Sequence, residues 1–126
     1  MMDINLRTPF ILTQIFLDDL RQSRGCVINV SSDKGSRPEP GMISYCMSKN
    51  GLEMLTKGAA IELATFGVRV NAVAPSFVDT NLYRAAGLSE AEYDALKKRA
   101  AANIPMARIG TSSQVAKAII YLTSEL

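Results

Sequence analysis

The sequence predicts an α/β fold built on parallel strands, in the order helix, strand, helix, strand, helix, helix. Two short apolar runs, residues 26–30 and 68–74, indicate buried strands, and the first run ends in two serines. Between the two runs, residues 45–65 repeat apolar side chains at helical spacing. A strand, a helix and a second strand predict a right-handed crossover, which brings the carboxyl ends of both strands to one edge of a sheet.

The first helix is predicted from Thr8 to about Leu20. Thr8 followed by Pro9 is typical of a helix cap and first turn, and Gly25 separates the helical region from the first strand. Apolar residues are spread nearly all round this helix, so we expect it to be covered on more than one side.

Chemically active side chains follow the first strand. Ser32 stands where this strand ends, at the edge where open α/β sheets bind their ligands. After a loop with two prolines, Tyr45 and Lys49 lie four residues apart and therefore on one face of the next helix. A lysine cation favours the phenolate of a nearby tyrosine, which makes that tyrosine a usable acid or base. The serine hydroxyl can bond the same substrate oxygen.

Two capping boxes place the last helices. Ser89 with Glu92 predicts a short charged helix over about residues 90–102, whose charges form a solvated face. Thr111 with Gln114 forms the second box and predicts a last helix with an apolar face. Neither region carries a repeat or a low-complexity tract.

Composition excludes several classes of protein. The 126 residues suit one domain or part of one, with 48% hydrophobic residues, 21% charged residues and a net charge of +2. Without a basic stripe, a signal peptide or a long apolar run, the sequence predicts neither a nucleic-acid partner nor a membrane span. Cys26 and Cys46 fit reduced buried thiols, which favours a cytoplasmic protein. The chain has no histidine and no cluster with metal-ligand spacing, so we expect neither a histidine triad nor a metal site.

The strand-ending serine and the Tyr-x-x-x-Lys pair resemble the short-chain dehydrogenase/reductase family, in which the serine lies thirteen residues before the tyrosine, as Ser32 does here. The resemblance implies that Tyr45 donates or accepts the proton, Ser32 binds the substrate oxygen, and Lys49 binds the nicotinamide ribose and favours the tyrosine phenolate. Asn5 lies in a segment similar to one whose asparagine, at a break in the first helix, helps hold a water near the lysine. Without the other three residues, Asn5 would be equally well explained as a helix cap or kink.

The cofactor of that family is NAD or NADP, and its nicotinamide-binding pattern is similar to the run NAVAPSFVDT after the second strand. The resemblance implies cofactor contacts from Tyr45 and Lys49, together with Pro75, Val78 and Thr80. In the family, the turn after the proline presents backbone groups to the carboxamide, and the threonine hydroxyl reaches the carboxamide or the phosphates.

The same region also departs from the family pattern. Ser76 stands where the family usually has glycine. If the turn needs a positive φ, serine strains it by about 1 kcal/mol and loosens the cofactor contact. The residues after Thr80 correspond to the family's variable lid over the substrate, with Leu82, Tyr83 and Leu88 as candidate contacts.

The resemblance covers all 126 residues, which correspond to roughly the second half of the family's domain. We therefore expect a partial Rossmann-like, doubly wound parallel sheet. It would lack the N-terminal dinucleotide-binding half, with its glycine-rich phosphate turn, and the last strand.

Two function hypotheses follow from the resemblance. The first is an NAD(P)-dependent oxidoreductase that interconverts a carbonyl and a secondary alcohol by hydride transfer. The second is a truncated, catalytically incompetent fragment or an interaction protein that retains the subunit-contact helices. Because a two-stranded parallel sheet is rarely stable alone, we expect a homo-oligomer or a complementing chain. Because the predicted contacts address only the nicotinamide end, we expect the chain alone to bind NAD or NADP weakly.

Overall fold

The chain begins with a long helical stretch and continues into two strands joined by a long helix. A computed structural model describes residues 1–125. The elements of this first part are a π-helical segment Asp3–Arg7, α1 Thr8–Ile15, α2 Leu17–Ser23, β1 Cys26–Val30, α3 Ile43–Leu63 and β2 Arg69–Val73. The second part consists of shorter elements, which are β3 Val78–Asp79, α4 Leu82–Ala85, α5 Glu90–Ala102, β4 Gly110–Thr111 and α6 Ser112–Thr123. None of the helices in the described residues has the length and apolar content that would let it cross a membrane.

The predicted parallel sheet is confirmed. β1 and β2 pair in parallel, in a register that runs from Cys26 opposite Arg69 to Val30 opposite Val73. The pairing continues past the strands, because the Ser31 amide donates to the Val73 carbonyl over 2.7 Å. The carboxyl ends of both strands therefore lie side by side, as the crossover argument predicted.

A second, smaller parallel pair forms further along the chain, where Val78 of β3 lies opposite Gly110 of β4. The sequence did not predict these strands, because two-residue strands are too short for any alternation to be visible. They matter for the site, since they place the segment before Thr80 next to the start of α6.

The core lies under the sheet and is formed by Leu63, Val68 and Val70. Leu17, Leu20 and Val27 pack against it, together with small residues of α3. The expectation of fully buried strands is wrong for the end of β1, where Val30 is 47% exposed. Within the described residues β1 pairs only with β2, so one edge and part of one face of the strand stay open.

The predicted boundary at Thr8 agrees with the start of α1, but the capping role of Thr8 is wrong, because the helical stretch already begins at Asp3. Thr8 is already helical, and its hydroxyl donates to the Asp3 carbonyl over 2.9 Å instead of capping a helix. Pro9, which lacks an amide hydrogen, lies in the first turn of α1, where the π-helical pattern gives way to the α-helical one. The helical stretch then breaks at Phe16 and ends at Arg24, which adopts the left-handed conformation at φ 49°.

The later helices confirm the local signals. α3 begins two residues before the predicted start at Tyr45, and α5 spans the predicted residues 90–102. Both capping boxes are formed, by Ser89 with Glu92 at α5 and by Thr111 with Gln114 at α6.

Candidate active site

Helix α3 holds Tyr45 and Lys49 on one face, one turn apart. The Lys49 ammonium lies 5.8 Å from the centre of the Tyr45 ring and donates a hydrogen bond to the Val30 carbonyl over 2.8 Å. Both side chains are half-buried. The lysine therefore joins the helix to the end of β1 and stays close to the tyrosine.

Burial changes the titration of Lys49. Loss of water around the ammonium lowers the pKa of Lys49 from its usual value of 10.5. A lowered lysine pKa makes the ammonium a somewhat better proton donor, and its hydrogen-bonding capacity is only partly used by Val30, because an ammonium has three donors.

Ser32 is buried at the carboxyl end of β1, as predicted. Its hydroxyl accepts from the Lys34 amide and donates to the Asp33 carboxylate, both over 3.3 Å, so it caps the short turn Asp33–Gly35. Within the described residues no hydrogen bond joins Ser32 to Tyr45. Both bonds are long, so a ligand oxygen can compete with Asp33 for the serine hydrogen.

Asn5 reaches α3 through a serine that the sequence reasoning missed. The Asn5 amide donates to the Ser48 hydroxyl over 3.0 Å, and that hydroxyl donates to the Tyr45 carbonyl over 2.7 Å. Ser48 is 0% exposed. The two helices approach closely here, because a Cβ at Gly51 would lie only 2.8 Å from Leu6 Cδ2. The π-helical break around Asn5 agrees with the predicted irregularity of this segment.

A second missed group lies beneath the Ser32 turn. Ser31 donates to the Glu53 carboxylate over 2.9 Å, and the Asn50 amide donates to the Gly35 carbonyl over 3.1 Å. The turn packs closely against α3 at Gly35, since a Cβ there would lie 2.6 Å from the Glu53 carboxylate oxygen and 3.2 Å from the Asn50 backbone nitrogen, and Glu53 would have to move to admit it. These contacts fix the turn after Ser32 against α3. The two consecutive serines after β1 were the sequence signal that could have indicated a polar contact of Ser31 with α3.

The residues predicted to contact nicotinamide lie after β2. The Pro75 carbonyl accepts from the Asp33 amide over 3.0 Å, which places it next to the Ser32 turn. Val78 lies in β3 and is half-buried. Just beyond β3, the Thr80 amide donates to the hydroxyl of Tyr93 over 3.3 Å. Tyr93 was not among the predicted site residues, because its helix looked charged and solvated.

Ser76 does not strain the turn. Among the described residues, the non-glycine positions with positive φ are Arg24 and Ala107, so Ser76 adopts an ordinary backbone conformation. Loosening of the cofactor contact was expected only if this turn had a positive φ, and that condition is not met.

The candidate lid residues differ in their surroundings. Tyr83 is half-buried and stacks on Phe77 with ring centres 5.3 Å apart and an angle of 8° between the planes. Leu88 is half-buried, whereas Leu82 is 67% exposed. The exposed side chains of residues 82–88 do not indicate a particular class of substrate.

Comparison with known proteins agrees with the fold. Residues 1–126 match a family model described as Enoyl-(Acyl carrier protein) reductase. The chain is 38% identical over 124 residues to the 3-oxoacyl-(acyl-carrier-protein) reductase FabG of Rickettsia felis. It is 39% identical over 123 residues to Protein FixR of Bradyrhizobium diazoefficiens. These matches cover 98% and 97% of this chain but 49% and 41% of the two proteins, so the chain spans less than half the length of these curated relatives.

Solved structures share the architecture. A short-chain dehydrogenase/reductase of unknown function from Caenorhabditis elegans, solved with cofactor, superposes with a TM-score of 0.89 at 30% identity. That match covers 97% of this chain and 46% of the other. ElxO with NADP bound gives a TM-score of 0.84 at 30% identity, over 96% of this chain and 48% of the other. An NAD⁺-bound xylitol dehydrogenase, at 22% identity and a TM-score of 0.85 over 98% of this chain and 52% of the other, shares the fold.

Proposed function

The chain belongs to the short-chain dehydrogenase/reductase family, and we propose that it carries the proton-transfer side of an NAD(P)-dependent oxidoreductase that interconverts a carbonyl and a secondary alcohol. The observation that carries the proposal is the Tyr45 and Lys49 pair. The ammonium lies 5.8 Å from the tyrosine ring centre and is hydrogen-bonded to the strand end that leads into Ser32. An acid/base group, a cation and a hydroxyl donor at the carboxyl edge of a parallel sheet suit carbonyl chemistry.

The side chains at this edge suit a nicotinamide cofactor. A hydroxyl and an ammonium on α3 can bond the ribose hydroxyls, and the Thr80 hydroxyl can bond a carboxamide. A bound NAD or NADP supplies hydride donation or acceptance at its nicotinamide ring. We assign Tyr45 and Lys49 to the ribose, and Pro75, Val78 and Thr80 to the carboxamide.

Proton transfer falls to Tyr45. Its hydroxyl gives a proton to the carbonyl oxygen in reduction and takes one from the alcohol in oxidation. The Lys49 cation beside it favours the phenolate, and a Ser32 hydroxyl released from Asp33 stabilises the charge that develops on the same oxygen. Asn5 acts at a distance, because its bond to Ser48 supports the Tyr45 backbone.

The relatives favour a carbonyl as the substrate group. FabG of Rickettsia felis is named as a 3-oxoacyl-(acyl-carrier-protein) reductase, and a 3-oxoacyl group presents a ketone to its reductant. ElxO was solved with NADP bound. We extend to this chain only the shared chemistry, a small-molecule carbonyl or secondary alcohol with NAD or NADP. A cytoplasmic setting stays a prediction.

We also propose that the active form contains a second chain, either a copy of this one or a complementing chain. Apolar side chains on α1 and its flank stay open, with Ile15 65%, Phe16 52%, Leu12 47% and Phe10 46% exposed. Light scattering of the purified chain should therefore give a mass of at least two chains or, if only a complementing chain completes the fold, the chain alone should be loosely packed and unfold without a sharp transition. A monodisperse monomer with a sharp cooperative thermal transition would contradict this.

Replacement of Tyr45 by phenylalanine tests the proposed function. In the assembly that turns over a carbonyl with NAD(P)H, we expect Tyr45→Phe to reduce kcat by about 10²–10⁴-fold, because general acid catalysis supplies a factor of that size. Tyr121→Phe removes an identical hydroxyl from a side chain that is 68% exposed on α6, and should leave kcat unchanged. Near-full turnover by Tyr45→Phe would show that the proton donor is assigned wrongly. Failure of the unaltered chain to turn over in any assembly would favour the alternative, a catalytically incompetent interaction protein.

A further inference from the structure

Tyr93 connects α5, which the resemblance assigns to the lid and which we call the lid helix, to Thr80 just after β3. Of the 13 residues of α5, all of them described, Tyr93 alone is buried, and it is 0% exposed. Its hydroxyl lies 2.7 Å from the Asp79 carboxylate, 3.3 Å from the Thr80 amide nitrogen and 3.2 Å from the Thr80 carbonyl. A phenol has one hydrogen to give, so the short contact to the carboxylate takes it and a lone pair remains for the Thr80 amide.

Two cations hold the Tyr93 ring in place. The Arg84 guanidinium lies 4.5 Å and the Lys97 ammonium 4.9 Å from the ring centre, and the Tyr83 ring is 6.0 Å away. Burial, and then the hydrogen bond to Asp79, raise the pKa of Tyr93 above its usual value. The hydroxyl therefore stays protonated and able to donate at neutral pH.

The hydroxyl of Thr80 is left available for a ligand. Its oxygen accepts from the Leu82 amide over 3.4 Å, and within the described residues no acceptor takes its hydrogen. The direction in which that hydrogen can point depends on the backbone of Thr80. That backbone is bonded to Tyr93 on one side, while the preceding carbonyl, of Asp79, accepts from the Ser112 hydroxyl over 3.3 Å.

We propose that Tyr93 is a positioning residue for the nicotinamide carboxamide, because its hydroxyl holds the Thr80 backbone and so sets the direction of the Thr80 hydroxyl. The inference rests on the proposed function, in which Thr80 contacts the cofactor. It goes further by making the lid helix part of the nicotinamide site. If α5 moves away from β3, the hydrogen bond that fixes the Thr80 backbone is lost as well.

Removal of one oxygen tests this inference. In Tyr93→Phe the ring and both cations stay, while the hydrogen bonds of the hydroxyl to Thr80 and to Asp79 are lost. Nuclear magnetic resonance of the full chain can follow hydrogen exchange at the Thr80 amide and titration with nicotinamide mononucleotide, which probes the nicotinamide end alone. We expect at least tenfold faster exchange at Thr80 and about three- to tenfold weaker binding of the mononucleotide, the loss typical of one hydrogen bond.

Two further variants separate positioning from general stability. Tyr121→Phe should change neither measurement, because that hydroxyl is on an exposed side chain of α6. Asp79→Ala removes the acceptor of the Tyr93 hydroxyl hydrogen but leaves the hydroxyl oxygen to accept from the Thr80 amide, so it should change both measurements less than Tyr93→Phe does. The double variant should be no worse than Tyr93→Phe alone, because that substitution already removes both contacts. Exchange that also accelerates throughout α3 would show a merely structural role and overturn the inference.

The outcomes distinguish this inference from the proposed function. If Tyr93→Phe binds the mononucleotide as tightly as the unaltered chain, the positioning role is wrong and the nicotinamide site stands. If the unaltered chain does not bind the mononucleotide at the highest soluble concentration, even in the assembly that turns over, the nicotinamide site is wrong, and the inference falls with it.

Discussion

Helices α3 and α5 carry different parts of the proposed site and are held in very different ways. α3 has 21 residues and buries five of them, which are Cys46, Ser48, Leu52, Thr56 and Leu63. α5 has 13 residues and buries only Tyr93. The proposed reacting groups therefore lie on a helix with five buried side chains, whereas α5 has one buried side chain, Tyr93, and an ion pair at the surface between Glu90 and Arg84.

The polar contacts of α3 fix its rotation as well as its position. The buried Asn29 amide of β1 donates to the Thr56 hydroxyl over 2.8 Å, and Ser48 receives Asn5. Buried hydrogen bonds of this kind tolerate little rotation, because a displaced partner would be left unsatisfied. Tyr45 and Lys49 are therefore presented in one orientation, which suits groups that must meet a reacting atom. α5 has no comparable set of buried contacts, so it can open locally at lower free energy.

Matched leucine truncations should give the largest difference between the two helices. Leu52 on α3 is 2% exposed, whereas Leu96 on α5 is half-buried. We expect Leu52→Ala to lower the free energy of unfolding by about 2–5 kcal/mol, the range for a fully buried leucine. Leu96→Ala should lower it by less than about 1.5 kcal/mol, since less apolar surface is involved. Urea denaturation of both variants in the same assembly measures the difference.

Equal losses of unfolding free energy in Leu52→Ala and Leu96→Ala would contradict the difference in packing between α3 and α5. That result would mean that α5 unfolds together with α3 as one cooperative unit, and that Tyr93 is only one of several equivalent attachments. A change in the denaturant slope of one variant alone would point instead to altered compactness of its unfolded state.

Loss of a helix cap should give a smaller and more local effect. Ser89 accepts from the Glu92 amide over 3.4 Å, and the Glu92 carboxylate accepts from the Ser89 amide over 2.9 Å. We expect Ser89→Ala to destabilise α5 by about 0.5–2 kcal/mol, which hydrogen exchange in the first turn of α5 can detect. Thr111→Ala, which removes the equivalent box at α6, is the matched control and should leave exchange in α5 unchanged. Faster exchange in α3 after Ser89→Ala would show that the two helices are coupled.

The sequence predicted those parts of the fold that depend on local signals. The capping boxes gave the start of α5, and the apolar run Cys26–Val30 matched β1 at both ends. The position of Ser32 followed from the same run. The interpretation of Thr8 as a helix cap was wrong, because Thr8 with Pro9 fits a helix cap and a change of helix type equally well.

Tertiary contacts could not be predicted in the same way. The sequence pattern of α5 does not distinguish Tyr93 from an exposed residue. Its burial depends on tertiary contacts of its hydroxyl with Asp79 and of its ring with Arg84 and Lys97. Ser48 was visible three residues after Tyr45, but only the approach of Asn5 from another helix gives it a role. The roles assigned to Asn5, Ser32, Tyr45 and Lys49 stay predictions that the variants described above can test.

Two lysines should show the smallest but most direct difference between the helices. Burial lowers the pKa of Lys49 on α3 from the usual value of 10.5. On α5, a hydrogen bond from Lys97 to the Asp94 carboxylate, 2.7 Å away, raises the pKa of Lys97 above that value. Carbon-13 resonance of the two side-chain Cε atoms should therefore show Lys49 losing its proton first as the pH rises, with Lys49→Met and Lys97→Met identifying the signals.

The two shifts act on stability in opposite directions. Because the ammonium of Lys49 is disfavoured in the folded chain, its contribution to the free energy of unfolding should increase with pH between its lowered pKa and 10.5. The contribution of Lys97 is complete below 10.5 and is lost as the pH rises through its raised pKa. Removing Asp94 with Asp94→Asn should return the Lys97 pKa towards 10.5 without moving that of Lys49. If the pKa of Lys49 were instead equal to or higher than that of Lys97, the Lys49 ammonium would be solvated. The reacting groups of α3 would then be no better buried than the surface charges of α5.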